Sequence, residues 1–428
     1  MLSDHLRHAM KRDLPGQMDA SDRRAAIGLS ALFFLLGASF VVMVPRGLPY
    51  DEPSHFYCVR FNSDLHGLPA VLNPPGQSYE ACQPPLYYFL AGLLYRVIGT
   101  GAAGFYGCRL ATLAVSTPLV YLTYQLAREF SGERIVAIGA ALLIAMNPAM
   151  LAIAGSIQND SLSFVFSTLA SYLCIRWCWT NSMTAARMLA VSVFVTAAIM
   201  TKSSALSVIP FVGVLVCVLD RKRAVQWLAI LTVVVVAGSG WWFLRNHRLY
   251  GDYSGGKSVA SIFATGGRFH PLSPRAWVWV GRSLLTYYTT PVTYWRDELK
   301  NPRWFTIAIG AGAVCMVAGL FISIARFRLA RSASQLKTSC ALFVLLGIGL
   351  WLWISFRDFA VAARVAMPAL AATMFIVADA LCDLRSLIAR NALVLLAVVF
   401  LAADANLLFK ASHLQHRSYE INLSAPLP

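Results

Sequence analysis

Residues 25–55 read AAIGLSALFFLLGASFVVMVPRGLPYDEPSH. Ala25 to Val44 carry no charge, and a helix of that length covers about 30 Å, the thickness of a bilayer's hydrocarbon core. Shortly after it the chain presents Asp51, Glu52 and His55. Before it lies a basic leader, residues 1–24, with Arg7, Lys11, Arg12, Arg23 and Arg24. The run is long enough to span and does not read as a cleavable signal. Positive charge stays on the cytoplasmic side, so this first span carries the acidic turn to the opposite face.

The rest of the chain continues in the same way. Of 428 residues 58% are hydrophobic and 13% charged, with a mean hydropathy of +0.61. Soluble proteins are about a quarter charged. The composition therefore excludes a soluble enzyme and a disordered protein. The apolar stretches are continuous rather than alternating, which excludes an outer-membrane barrel. The fold class is an all-α polytopic membrane protein. Its +16 charge is the loop charge of such a protein and implies a lipid bilayer, not nucleic acid, as partner.

Apolar runs fall at about 25–44, 84–99, 105–126, 135–153, 161–178, 188–200, 203–219, 225–244, 305–325, 339–356, 364–381 and 391–409. Charge fixes which of them cross. Arg221, Lys222 and Arg223, the group Arg326, Arg328 and Arg331, and the pair Arg385 and Arg390 belong inside. Counting back from Arg221 puts Arg128 and Arg134 inside as well, so only one of the two runs between 44 and 128 crosses. The 84–99 run is short, starts at Pro84-Pro85 and carries Tyr87, Tyr88, Tyr95 and Arg96, which suits the interface. The expectation is about 11 transmembrane helices in a single domain over 25–409, with the N-terminus cytoplasmic. Outer loops then lie at 45–104 and 245–304, with an outer tail at 410–428.

A charge at the bilayer centre costs about 2.5–3.5 kcal/mol on the insertion scale, so ionisable groups beside spans are informative. In this topology Asp51, Glu52 and His55, then Asn159 and Asp160, then Lys202, Arg245 and Arg364, all reach the outer side. Asp51 and His55 are four apart, so one helical turn puts both on one face. Such a pair can take a proton from an acceptor hydroxyl or share a divalent metal ion; a solvated loop start is the plainer alternative. Lys202, Arg245 and Arg364 suit a phosphate at the membrane surface, or simple snorkelling. Gln83-Pro84-Pro85-Leu86-Tyr87-Tyr88 is a stiff helix start. Cys58 and Cys82 share the first loop, and in an oxidising compartment they could form a disulfide bracing it.

These motifs, in this order, resemble the GT-C superfamily of membrane glycosyltransferases that use lipid-phosphate-linked sugars, among them the aminoarabinose transferases and protein O-mannosyltransferases. The resembling residues are Asp51-Glu52, the Gln83 to Tyr88 segment, Asn159-Asp160, Lys202-Ser203, the Trp241 to Asn246 helix end with Tyr250-Gly251-Asp252, and Arg364 to Leu370. Gln83 stands where the family has His, and Val365 where it has Tyr. The chain is shorter than the aminoarabinose and mannosyl enzymes and lacks their large C-terminal outer domain.

The resemblance implies interfacial helices in the first outer loop and transfer of a sugar from a polyprenyl-phosphate donor. The acceptor would be a glycan, lipid or protein at the periplasmic face of a bacterial inner membrane. It implies Asp51 and Glu52 as catalytic residues and Lys202, Arg245 and Arg364 on the donor phosphate. His55, Gln83, Tyr87, Asn159 and Asp160 would hold sugar or acceptor. A transporter or flippase of a lipid-linked sugar is the first rival reading, and an O-antigen ligase or polymerase the second. Transporters keep ionisable groups at mid-membrane, whereas here they lie at one surface. The ligases carry their large loop late in the chain and lack an early Asp-Glu pair.

Overall fold

The computed structural model describes residues 14–49, 51–64, 67–72, 76–256, 259, 270, 272–289, 333–357, 363–383 and 387–414. These are helical, with no strand among them. The first span is α1 (Ala20–Met43), begun by Asp19, which accepts from the Asp22 amide at 2.7 Å in a capping box. The segment after it then folds as α2 (Glu52–Ser63), a 3-10 turn (Gly76–Cys82) and α3 (Leu86–Ile98). Helices α4 (Ala102–Ser116) and α5 (Pro118–Ser131) return together as one long segment.

The apolar run at 135–153 is two helices, α6 (Arg134–Ala145) and α7 (Pro148–Ala154), bent by 57°. Proline at 148 removes a helical donor, and Asn147 caps the second piece by accepting from the Met150 amide. Then follow α8 (Asp160–Trp179), α9 (Ala185–Thr201), a 3-10 turn (Ser203–Ser207) and α10 (Val208–Leu219). After them come α11 (Ala224–Tyr250), α12 (Pro274–Thr289), α13 (Ala333–Arg357), a 3-10 turn (Ala363–Ala369), α14 (Leu370–Asp383) and α15 (Leu387–Leu414).

Among the described residues seven helices are long and apolar enough to cross a membrane, or eight if the bent α6–α7 pair is one span. The expected count of eleven adds the shorter α9, the 203–219 segment and the run at 305–325, which lies outside the described residues. Arg245 is not in a loop: α11 runs on to Tyr250 and carries it in the last turns. The last helix likewise extends to Leu414, into the expected tail.

The segment between α1 and α4 has a core of its own. Phe56 of α2 meets Tyr95 of α3 edge-on at 5.4 Å and Phe105 of α4 at 4.9 Å, and Tyr88, Cys108 and Ile157 fill the rest. Gly92 permits the close crossing of α2 and α3, because a Cβ there would lie 2.9 Å from the Val59 carbonyl oxygen and 3.0 Å from the Ser63 amide. On its other face α3 exposes Phe89, Leu90, Leu93 and Val97. At 13 residues it is about 20 Å long, too short to cross, and its split faces suit a helix lying in the interface.

Candidate active site

The site begins where α1 hands over to α2. Glu52 and Arg109 of α4 are both fully buried and form a two-pronged pair, Nε to Oε1 at 2.8 Å and Nη2 to Oε2 at 2.6 Å. Glu52 also accepts from the Gly47 and Ile157 amides, and Arg109 donates to the carbonyls of Val41, Val44 and Pro45. With four donors on its two oxygens, Glu52 has no free lone pair of good geometry for substrate. The expected catalytic role of Glu52 is therefore corrected: it staples α1, α2 and α4 together.

That staple fixes its neighbour. Asp51 precedes α2 with φ at 51°, a left-handed conformation uncommon for anything but Gly, Asn and Asp. The strained turn aims Asp51 into a cluster. Its Oδ2 takes a short ion-paired hydrogen bond from Arg364, and its Oδ1 accepts from Tyr79 Oη at 2.8 Å. Arg364, presented by the 363–369 turn, also lies 3.8 Å from Asp160. Asp160 in turn accepts from Lys202 Nζ at 2.7 Å, and Lys202 reaches Asn159 Oδ1 at 3.3 Å. Asn159 is anchored by donating to the Thr201 carbonyl. So Asp51, Asn159, Asp160, Lys202 and Arg364 meet as expected, from four separate parts of the chain.

His55 is fully buried one turn along from Asp51, with Nδ1 2.7 Å from Tyr88 Oη. Burial first, and then the Lys202 cation, push its pKa down to about 3, so it is neutral. Burial alone would raise Asp51, but Arg364, aided by the Tyr79 hydroxyl, outweighs it and holds the carboxylate below its usual range. Glu80 behaves oppositely. Burial and then the Asp51 charge push it up to about 7. Asp51, His55 and Glu80 bring one ligand atom each within 4.8 Å of one another. Among the described residues His55 Nε2 and Glu80 Oε2 have no hydrogen-bond partner. One imidazole and two carboxylates suit a divalent ion, so the metal pair expected at Asp51 and His55 gains a third member.

Sequence reasoning missed Glu80. Its only signal is an acid three residues before the Gln83-Pro84-Pro85 helix start, in a loop otherwise poor in acids. The Glu80 pKa implies a stability effect with a definite sign. An unfolded Glu80 releases its proton near 4.5, while the folded protein keeps it to about 7, so stability falls as pH rises through that window. Glu80→Gln is expected to melt above the native protein at pH 8 and alongside it at pH 4, measured by thermal shift in detergent.

Three other expectations are corrected. Arg245 holds no open cation site: it donates to the Pro69 and Leu68 carbonyls and lies 4.6 Å over the Trp242 ring. Tyr87 points away, pairing with Thr112 Oγ1 at 2.7 Å, and Tyr88 is the tyrosine that meets His55. Cys58 and Cys82 are free thiols rather than a disulfide, since the Cys82 Sγ donates to the Tyr79 carbonyl within its own turn. Gln83 donates its amide to the Glu80 carbonyl, and its Oε1 is buried with no partner among the described residues.

An apolar groove of about 520 Å³ opens between α3, α9 and α11. Leu86, Phe89, Val193, Ala197, Met200 and Val234 line it. Its α9 wall includes Met200, two residues before Lys202, which caps the helix.

The described residues thus form a bundle of apolar helices with a cluster of ionisable side chains at the end of the first long helix. The family model of dolichyl-phosphate-mannose-protein mannosyltransferases matches residues 93–250. The fold resembles ArnT from Cupriavidus metallidurans bound to undecaprenyl phosphate, with a TM-score of 0.56 at 13% identity, covering 91% of this chain and 76% of that one. The apo form of the same protein gives 0.54 at 13% identity, with 92% and 77% covered. The arabinofuranosyltransferase AftD from Mycobacteria gives 0.51 at 15% identity, covering 94% of this chain but 28% of AftD. No curated protein sequence matches the chain. The chain thus shares the fold of ArnT, and its segment 93–250 matches the mannosyltransferase model.

Proposed function

We propose that this protein transfers a sugar from a polyprenyl-phosphate donor to an acceptor hydroxyl at the outer, periplasmic face of a bacterial inner membrane, with inversion. The observation that carries the reading is the cluster of half-buried Asp51 and Arg364 with buried Asp160 and Lys202, together with an apolar groove whose α9 wall includes Met200, two residues before Lys202. The groove would take the lipid tail and the two cations the phosphate.

The acceptor oxygen attacks the anomeric carbon as the bond from that carbon to the phosphate oxygen breaks, and the electron pair leaves on the phosphate. Charge growing on the phosphate draws on Arg364 and Lys202, so these contacts strengthen toward the transition state. As Arg364 turns to the phosphate its hold on Asp51 weakens. The carboxylate therefore becomes more basic as the acceptor's proton reaches it. Glu80, protonated near neutrality, can donate to a sugar or acceptor oxygen while Asp51 accepts; neighbouring acids driven apart in pKa divide such roles. Were Asp51, His55 and Glu80 to hold a divalent ion instead, both carboxyls would be ionised ligands, and the ion would supply polarisation of the acceptor hydroxyl in place of proton donation by Glu80.

Mass spectrometry of envelope glycans and lipid-linked sugars, in native and deletion cells, tests the reading. One glycan is expected to lose a sugar while a polyprenyl-phosphate sugar accumulates. Unchanged glycans, or loss of the lipid-linked sugar itself, would count against transfer. The groove has its own prediction. Ala197→Phe is expected to raise KM for the long-chain donor about tenfold, the loss of one or two buried methylenes' worth of contact, and to leave a short-chain analogue unaffected. Steady-state kinetics with both donors check it.

A further inference from the structure

The motif from Trp241 to Tyr250 looks suited to phosphate, yet its polar side chains are turned elsewhere. Asn246 is fully buried, and its Nδ2 donates to the Cys82 carbonyl at 2.9 Å. Trp242, one turn earlier on the same face of α11 and equally buried, donates its Nε1 to that same carbonyl at 3.3 Å. Arg245 holds the Leu68 and Pro69 carbonyls, and Tyr250 Oη accepts from the Val71 amide at 3.1 Å. Beyond the helix, Gly255 takes φ of +73° against Cys82, where a Cβ would come within 2.4 Å of the Cys82 Cβ. Four side chains and one glycine thus seize a single stretch of the first outer loop.

Cys82 closes the 76–82 turn, and that turn is tied to itself. The Gln83 amide donates to the Glu80 carbonyl at 2.9 Å, and the Cys82 thiol donates to the Tyr79 carbonyl at 3.4 Å. Moving Cys82 therefore moves Tyr79 and Glu80. Tyr79 holds Asp51 Oδ1 at 2.8 Å, and the Glu80 amide is held by Ser54 Oγ at 2.9 Å. The two ends of the turn are fixed by different helices, α2 on one side and α11 on the other.

We infer that the outer end of α11 is a clamp, in which Asn246 and Trp242 act through the Cys82 carbonyl as positioning residues for Tyr79 and Glu80. This rests on the reading of Asp51 and Glu80 as the reacting carboxyls. Neither clamp residue touches the reacting groups. Their effect is on where the turn sits, and a displacement of about 1 Å is enough to slow an oriented reaction about 100-fold.

The test uses Trp242→Phe, which removes the indole donor while keeping an aromatic ring, at the cost of some buried volume, and Asn246→Leu, which removes the other donor at similar size. Transfer is measured in solubilised membranes against the polyprenyl-phosphate sugar that accumulates in deletion cells. Both variants are expected to lose about 10- to 100-fold in kcat with KM for the donor within about twofold. In parallel, maleimide labelling of each thiol is followed by peptide mass spectrometry. Release of the turn is expected to speed labelling of buried Cys82 about tenfold or more, with buried Cys58 staying slow. Unchanged Cys82 labelling in both variants would overturn the clamp. Faster labelling with native kcat would overturn the positioning role. If the native protein shows no transfer, the reading of function has failed, and the thiol arm still decides the clamp.

Discussion

Asp51→Asn is expected to lower the transfer rate about 10²- to 10⁴-fold, the usual worth of a positioned general base. The substitution isolates the chemistry well. Asn fills the same volume and tolerates the left-handed backbone that Asp51 adopts at φ of 51°. Its carbonyl oxygen still accepts from Tyr79, and Arg364 keeps Asp160 at 3.8 Å. What disappears is the anion that takes the proton. Single-turnover rates with the donor, alongside melting temperature and abundance in detergent, check it. Near-native turnover would remove Asp51 from the reaction and leave Glu80 as the carboxyl to test next.

Arg109→Leu is expected to do the reverse, unfolding the protein without a specific effect on chemistry. Removing one partner of a fully buried ion pair costs about 3–5 kcal/mol, because the remaining charge is stranded. Here Glu52 would lose two of its four donors, and three carbonyls at the end of α1 would lose theirs. A large fall in melting temperature and in folded yield by size exclusion is the expected result. Adding Glu52→Gln to the same chain should recover part of it, since the stranded charge is then gone. A melting temperature equal to native for Arg109→Leu would show that the staple is not structural. Asp51 and Glu52 are adjacent in sequence, yet these two experiments should separate them into a chemical and a structural residue.

Much of the site was legible because membranes penalise ionisable groups. Asp51, Asp160, Lys202 and Arg364 stood out as charges at span ends on one face, and the structure brings them into contact. The geometry of the first loop was legible in the same way. A short apolar run behind two prolines could not cross, and α3 is a 13-residue helix with one apolar face exposed. Arg109 and Glu80 escaped notice, since a lone Arg in an apolar run and a lone Glu in a loop look like ordinary snorkelling and solvation. Arg245 misled because a cation at a span end suggests phosphate, whereas two backbone carbonyls and an indole face satisfy it here.

The sequence by itself determined the helical membrane architecture, the order of the elements and the end of the bundle to which the charges belong. Those follow from hydropathy and charge summed over many residues, quantities that no single contact can reverse. Only the tertiary structure decided which carboxylate is held as a staple, which is pressed toward pKa 7 and which tyrosine meets His55. Each of those depends on a few ångströms of separation between residues up to hundreds of positions apart, and hydrogen bonding and desolvation change sign over that distance.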